Sequence, residues 1–336
     1  MPALLTWLAL LATAQLALGC GAGSERDRAS RVATVTHEER VAPRLIDLEI
    51  RSPALGTTAM VRLMTPDGWA ASATPRRWPV LYLLHGCCDS YESWTRSTDI
   101  EEVPQLRDVL VVMPEAGAVG FYSNWHGSGG ESAPAWETFH LTEVRRLLER
   151  DYGAGGRRAI AGLSMGGLGA MGYAARHPGL FRAAASFSGL LHPLQDNGVL
   201  LGLFSRFTPD PRAIWGDPVR DRAIWARHDP TELAGRLRGL PLFVSAGDGR
   251  PGPLDASARG HDWIESTVLR ESRAFVNRLK RLDIPVRTDF YGAGTHAWPY
   301  WQRELERALP TLLRALTASI RVPTRPRTAA SRPRIP

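Results

Sequence analysis

The stretch Gly162-Leu-Ser164-Met-Gly166 constrains the fold of this chain more than any other. The apolar run from Ala159 to Ala161 predicts a buried strand before it, and a helix rich in small residues is predicted to begin near Gly166. A G-x-S-x-G sequence between strand and helix is typical of a sharp turn that lifts a serine hydroxyl out of a sheet. We therefore predict that Ser164 is a nucleophile and that the Met165 amide, at a helix N-terminus, binds an oxyanion.

Strand and helix patterns alternate along the chain. Apolar runs predict strands at 57–64, 79–84, 109–113, 183–188, 242–245 and 286–290, and the alternation of Ile46, Leu48 and Ile50 predicts a half-exposed strand. Helical spacing predicts helices at 135–150, 261–282 and 303–316. This order predicts an α/β fold with a mostly parallel central sheet and helices on both faces. With a G-x-S-x-G turn, that architecture corresponds to the α/β-hydrolase fold.

The predicted α/β-hydrolase domain covers residues 42–318 and is flanked by three other segments. Residues 1–20 are predicted to be a signal peptide, because Leu4 to Leu18 is apolar but short for a membrane span. Residues 21–41 are predicted to be a flexible tether and 319–336 a disordered Arg/Pro-rich tail. Within the domain, residues 189–239 are predicted to be a lid-like insertion that forms an acyl-binding wall, a packed helical layer, or both.

The end of the predicted signal peptide bears on localisation. Ala17-Leu-Gly-Cys20 resembles a bacterial lipoprotein cleavage site, although its leucine is one place off the usual position. A plain signal peptide and lipidation of Cys20 both stay open at this point. We expect a bacterial protein that is secreted or attached to the cell envelope, with a lipid anchor at Cys20 as its membrane attachment.

Charge and cysteine content exclude several classes of function. The net charge is +7, but its arginines are scattered among acidic residues, which argues against nucleic-acid binding. The two remaining cysteines, Cys87 and Cys88, are adjacent, so no ordinary disulfide framework can form, and we favour free thiols over a vicinal disulfide. No Cys/His cluster has metal-ligand spacing, and we predict that no cofactor or metal is needed.

An activated serine needs a base and a group that orients the base. His296 follows the last predicted strand in a glycine-rich loop, and we predict that it is the base. The acid is Asp248, which follows the strand that usually precedes the acid in this fold, or Glu265, which lies in the first turn of the next helix. From spacing alone, Asp248 is preferred.

The loop after the predicted strand 79–84 supplies further candidates. Counting from Gly86, the second oxyanion donor is the amide of Cys87. His85 is expected to brace this loop or contact substrate rather than transfer a proton, and Trp298 is expected to contact substrate.

Several of these residues resemble one family of α/β-hydrolases. The chain is similar to the esterase D and antigen 85 group, most closely the antigen 85 mycolyltransferases, over roughly residues 41–318. The similarity lies in the following segments: Gly162-Leu-Ser-Met165, Trp215-Gly216, His228-Asp229-Pro230, Leu269-Arg270 and Gly294-Thr-His-x-Trp-Pro-Tyr-Trp301. In that family the acid is a glutamate some four residues before a Leu-Arg pair, which implies Glu265 rather than Asp248. The resemblance also implies oxyanion amides at Cys87 and Met165.

This chain departs from the family pattern at the positions that contact trehalose. Mycolyltransferases have an aspartate and an arginine there, whereas this chain has His85 and Cys88. We therefore expect a secreted serine carboxylic-ester hydrolase that acts through an acyl-enzyme on a small-molecule or lipid ester. One alternative is an acyltransferase that moves the acyl group to an envelope carbohydrate. An alternative of another class is a non-catalytic surface-binding protein on the same fold.

Overall fold

The computed structural model describes residues 32–70, 77–127, 133–256 and 258–317. The predicted signal peptide, residues 21–31 of the predicted tether and the predicted tail at 319–336 lie outside the described residues. No helix among the described residues has the length and apolar character that crossing a membrane requires.

Nine strands of the described residues form one sheet in the order β1-β2-β3-β5-β4-β6-β7-β8-β9. The strands are β1 Thr34–Ala42, β2 Leu45–Ser52, β3 Thr57–Met64, β4 Trp78–Leu84, β5 Leu110–Pro114, β6 Ala154–Leu163, β7 Ala184–Phe187, β8 Leu242–Ala246 and β9 Arg287–Phe290. Strands β1 to β3 and the β3–β5 pair are antiparallel, and β4 to β9 are parallel. The predicted mostly parallel sheet is therefore confirmed.

Helices cover both faces of the sheet. They are α1 Ser93–Ser97, α2 Trp136–Thr138, α3 Arg145–Asp151, α4 Met165–Arg176, α5 Asn197–Phe204, α6 Arg222–His228, α7 Trp263–Arg281 and α8 Trp298–Thr317. A π-helical segment, Phe139–Val144, joins α2 to α3. The last helix begins five residues earlier than predicted, because Pro299 can occupy the first turn of a helix, where its missing N–H costs nothing.

Two apolar cores lie on opposite faces of the sheet. Along β4, Val80, Tyr82 and Leu84 face one core, and Leu81 and Leu83 face the other. Burial on both faces explains why this strand has an uninterrupted apolar sequence. The elements after its C-terminal end therefore start from a fixed, fully packed strand.

The predicted tether is wrong for residues 34–41, because they belong to β1. This strand is at the edge of the sheet, and most of its side chains are exposed, including His37, Glu38 and Arg40. An exposed edge strand needs no alternation of apolar and polar residues, so its sequence resembles that of a linker.

The insertion at 189–239 contains a packed helical layer. Its buried aromatic side chains include Phe204, Trp215 and Trp225, and Trp215 packs edge-on against the other two. Helix α5 of the same segment also borders a cavity described below. The packed layer is therefore observed, and the acyl-binding wall stays a prediction.

Candidate active site

Ser164 lies in a strained turn between β6 and α4. Its backbone has φ 51° and ψ −118°, a conformation that costs a non-glycine residue energy and persists only where neighbouring groups hold it. The Ser164 N–H donates to the Phe187 carbonyl at 2.9 Å, and its own carbonyl accepts from the Gly167 amide at 3.0 Å. The turn is therefore tied to β7 and to the first turn of α4.

The glycines beside Ser164 are required by close backbone approaches. A Cβ atom at Gly162 would collide with the backbone of Gly166, and one at Gly166 would collide with the carbonyls of Leu84 and His85. The elbow therefore packs directly onto the end of β4, where the next loop begins.

His296 and Glu265 form a hydrogen-bonded pair. The distance from His296 Nδ1 to Glu265 Oε2 is 2.7 Å, and the Glu265 side chain is completely buried. Because Nδ1 is used in this contact, Nε2 is the ring nitrogen left to exchange a proton, a tautomer that we assign from the contacts. Trp301 packs edge-on against the His296 ring, with centroids 4.9 Å apart.

The other oxygen of Glu265 is held by three donors. Its Oε1 accepts from the Ser188 hydroxyl at 2.8 Å, the Gly247 amide at 2.6 Å and the Tyr291 hydroxyl at 3.2 Å. Hydrogen bonds of this kind compensate a buried carboxylate for the water that it has lost. Glu265 is therefore fixed with one oxygen towards the protein and one towards His296.

Asp262 joins the start of α7 to the loop that contains His296. Its Oδ1 accepts from the amides of Ile264 and Glu265, and its Oδ2 accepts from the His296 amide at 3.1 Å. Asp262 was not among the predicted site residues. The signal was present, because Asp262 and Glu265 have the spacing of a helix N-cap and its partner three residues later.

The alternative acid, Asp248, has a different partner. Its Oδ2 accepts from the Arg250 guanidinium at 2.6 and 2.9 Å, and its Oδ1 accepts from the Arg250 amide at 2.9 Å. These hydrogen bonds from Arg250 lower the pKa of Asp248. The structure brings Glu265 to His296 and leaves Asp248 organising the turn after β8.

The two predicted oxyanion amides lie at the ends of neighbouring strands. Met165 is the first residue of α4, so its N–H has no partner in a preceding helical turn. Cys87 follows β4, which pairs with β6. The next residue, Cys88, has φ 67° and donates its amide to the Ala118 carbonyl at 2.9 Å.

The structure contradicts the preference for two free thiols. Cys87 and Cys88 form a vicinal disulfide. Residues adjacent in sequence close no loop between distant elements, which is why the count and spacing of cysteines gave no signal for it. The disulfide lies within the loop that holds the Cys87 amide.

The prediction that His85 contacts substrate is wrong, and its bracing role is the one observed. The ring is 1% exposed, its Nδ1 lies 2.7 Å from the Gly86 carbonyl, and its Nε2 accepts from the Ala116 amide at 2.9 Å. With both nitrogens engaged below the surface, His85 holds the loop after β4 to the segment after β5.

Two cavities meet at Ser164 and His296. The apolar cavity, about 450 Å³, lies between α5 and α7, and its walls include Leu200, Leu203 and Val268. The mixed cavity, about 490 Å³, is bordered by Asp89, Arg259, Trp298 and Trp301. Trp298 is thus beside the reacting groups, as expected for a substrate contact, and Cys87 borders both cavities.

The described residues contain no group of three or more His, Cys, Asp or Glu side chains arranged to hold a metal ion. Ser164 and His296 can together perform nucleophilic catalysis, in which the serine hydroxyl attacks and the histidine transfers its proton. The Met165 amide comes directly after the serine, and the Cys87 amide lies in the loop after the neighbouring strand β4.

Comparison with known proteins gives the same family as the sequence motifs. The family model Esterase matches residues 52–312. The chain is 32% identical over 285 residues to the diacylglycerol acyltransferase/mycolyltransferase Ag85A of Mycobacterium bovis, a match that covers 81% of each protein. It is also 32% identical over 252 residues to the esterase Rv1288 of Mycobacterium tuberculosis, covering 72% of this chain and 54% of that protein.

A solved structure supports the same assignment. The crystal structure of Mycobacterium tuberculosis MPT51 superposes on the chain with a TM-score of 0.66 at 25% identity. The superposition covers 84% of this chain and 99% of that one.

Proposed function

The chain belongs to the esterase family of α/β-hydrolases, and on that premise we propose that it is a serine carboxylic-ester hydrolase working through an acyl-enzyme. One observation carries this proposal: Ser164, in its strained turn, borders the same two cavities as His296. The Nδ1 of that histidine lies 2.7 Å from the buried Glu265 carboxylate. Nucleophile, base and orienting acid are the three parts that acyl transfer by serine requires.

The proposed first half-reaction forms the acyl-enzyme. The Ser164 Oγ attacks the ester carbonyl carbon while His296 Nε2 takes the hydroxyl proton, and Glu265 stabilises the resulting imidazolium. The amides of Cys87 and Met165 donate to the tetrahedral oxyanion. When the carbon–oxygen bond to the alcohol breaks, His296 returns the proton to the departing alcohol.

The second half-reaction releases the acid. Water enters, His296 removes one of its protons, and the hydroxide attacks the acyl carbon. The bond to Ser164 Oγ then breaks, and the proton on His296 restores the serine hydroxyl. The apolar cavity suits the acyl group, and the mixed cavity suits the alcohol, because they extend from Ser164 with different linings.

Acyl transfer is the second candidate function. The mixed cavity, at about 490 Å³, has room for an alcohol much larger than water, and it is bordered by the charged side chains of Asp89 and Arg259. The relative Ag85A is named as an acyltransferase. His85 and Cys88 replace the trehalose contacts of the mycolyltransferase pattern, so the acceptor in this proposal is a sugar hydroxyl without a commitment to trehalose.

The proposed site of action is outside the cytoplasm. The support is the apolar run from Leu4 to Leu18, followed by Cys20 in a sequence like a lipoprotein cleavage site. We propose export through this segment, followed either by secretion or by attachment to the envelope through a lipid on Cys20.

Kinetics on an ester series test this function. We expect turnover of p-nitrophenyl esters, with kcat/KM rising from acetyl to longer chains that fill the apolar cavity, and none with Ser164→Ala. Adding a sugar should leave the rate of acid formation unchanged for a hydrolase and divert the acyl group to a sugar ester for a transferase. No turnover of any ester by the folded wild-type chain would contradict the proposal and favour a non-catalytic binding protein.

A further inference from the structure

Three exposed apolar side chains border the apolar cavity. Val199 on α5 is 41% exposed, and Trp263 and Ile264 at the start of α7 are 58% and 40% exposed. We call these three residues the apolar lip. Large apolar side chains grouped at the edge of a cavity are unusual on a water-facing surface, and such groups mark interaction sites.

The apolar lip is built on two helices that are joined to each other. Helix α5 contains no charged residue, and Leu200 and Phe204 anchor it in the core while Val199 is exposed. Asp196, just before α5, accepts from Arg270 on α7 at 2.6 Å. The lip is therefore held in place by packing below it and by an ion pair at one end.

The charges near the lip favour an anionic partner. Arg206 is exposed, borders the apolar cavity, and has no acidic partner among the described residues. The nearby acids Asp196 and Asp262 are paired with Arg270 and Arg259. An apolar surface bordered by an unpaired guanidinium matches a surface of acyl chains below anionic headgroups.

We propose that the apolar lip docks on the surface of an anionic lipid membrane or aggregate. Docking places the opening of the apolar cavity against the acyl chains, so an ester substrate reaches Ser164 from the lipid without its chain crossing water. This inference rests on the proposed ester hydrolysis, since it makes a lipid ester the substrate class. Tryptophan suits this position because its ring is apolar while its N–H stays close to the polar headgroups.

Lipid-dependent quenching of Trp263 tests the docking directly. The full chain with Ser164→Ala, which keeps lipid esters intact, is mixed with vesicles of phosphatidylglycerol with brominated acyl chains. Bromine quenches indoles that enter the acyl region, and the Trp263→Phe version of the same protein isolates the signal of this residue. We expect less quenching in Trp263→Phe than in its parent. Equal quenching in the two proteins would overturn the proposal, even if the chain binds vesicles by another segment.

Binding of the same protein to vesicles gives the energetic test. Val199→Ser and Ile264→Ser should each weaken binding by roughly tenfold, because each removes one apolar side chain from the docked surface. Val219→Ser is the matched control: Val219 is 83% exposed and borders neither cavity. Uniform affinity among all four proteins would overturn the proposal.

Headgroup charge and salt separate docking from simple adsorption. Phosphatidylglycerol vesicles should bind more tightly than phosphatidylcholine vesicles, and about 0.5 M NaCl should reduce that difference while the lip variants keep their defect. If salt abolishes binding completely and the lip variants have no effect, the chain adsorbs through scattered arginines, and the proposed docking by the apolar lip is contradicted.

Hydrolysis of a soluble short-chain ester by the wild-type chain tests the proposed function separately. If the chain docks on vesicles but cleaves no ester, the docking proposal is supported and the proposed ester hydrolysis is contradicted.

Discussion

Replacing Glu265 by Gln tests the proposed acid with little change of shape. Three donors face Oε1, so the amide oxygen should take that position and the NH2 group should face His296 Nδ1. An NH2 group there must donate, which forces Nδ1 to accept and puts the ring proton on Nε2. The ring then cannot take the proton of Ser164.

The magnitude follows from the tautomer change. Neutralising the corresponding acid in a serine protease, which keeps the geometry but selects the wrong tautomer, lowers kcat about ten-thousandfold. We expect a loss of that order in kcat/KM for Glu265→Gln, which corresponds to about 5 kcal/mol of transition-state stabilisation. KM should change little, because the glutamate lies behind the histidine rather than in a cavity.

Asp248→Asn is the matched control. Its carboxylate is paired with Arg250, a largely exposed side chain, and ion pairs exposed to water contribute little to stability. We expect less than about a tenfold loss in kcat/KM on a short-chain ester, with a Tm close to wild type. A larger loss in Asp248→Asn than in Glu265→Gln, at equal Tm, would refute the assignment of the acid.

Three further predictions concern the nucleophile, the disulfide and a buried glutamate. Ser164→Ala and His296→Ala should each abolish ester cleavage at unchanged Tm, and the double variant should be little worse than either, whereas multiplicative losses would contradict a shared step. Cys87→Ala and Cys88→Ala both remove the disulfide but keep every backbone amide, so kcat/KM should stay within about tenfold of wild type, and a collapse to the Ser164→Ala level would show that the disulfide is required. Burial raises the pKa of Glu271 well above its ordinary value, so the folded protein keeps a proton that the unfolded chain releases. Stability therefore falls as the pH rises above the pKa that Glu271 has in the unfolded chain. Glu271→Gln removes this titration, so its Tm relative to wild type should rise from about pH 4 to about pH 8, and a difference independent of pH would contradict the raised pKa.

The parts that the sequence predicted well are those with a local physical cause. Strand β4 is apolar throughout because both of its faces are buried, and the turn at Ser164 requires glycine on each side because the backbones approach closely. Such requirements act within a few residues and leave a visible pattern. The same logic explains the missed β1, whose exposed edge position imposes no pattern.

The choice between two acids depended on contacts that spacing does not contain. Glu265 and His296 are 31 residues apart, and Asp248 precedes both. Only the family resemblance favoured Glu265, until the fold showed Asp248 paired with Arg250. The role of His85 also depends on contacts that the sequence does not contain. Its position suggested a substrate contact, but its two ring nitrogens bond to the Gly86 carbonyl and the Ala116 amide, which lie in two different loops.

The most direct test of the account is to trap the proposed acyl-enzyme. The wild-type chain is mixed briefly with an activated ester or a serine-directed phosphonate, and the intact mass is measured before peptide mapping. We predict one adduct per chain, located on Ser164, absent from Ser164→Ala and formed far more slowly by His296→Ala. Ester cleavage without an adduct on Ser164, or an adduct on another residue that persists in Ser164→Ala, would contradict the central claim.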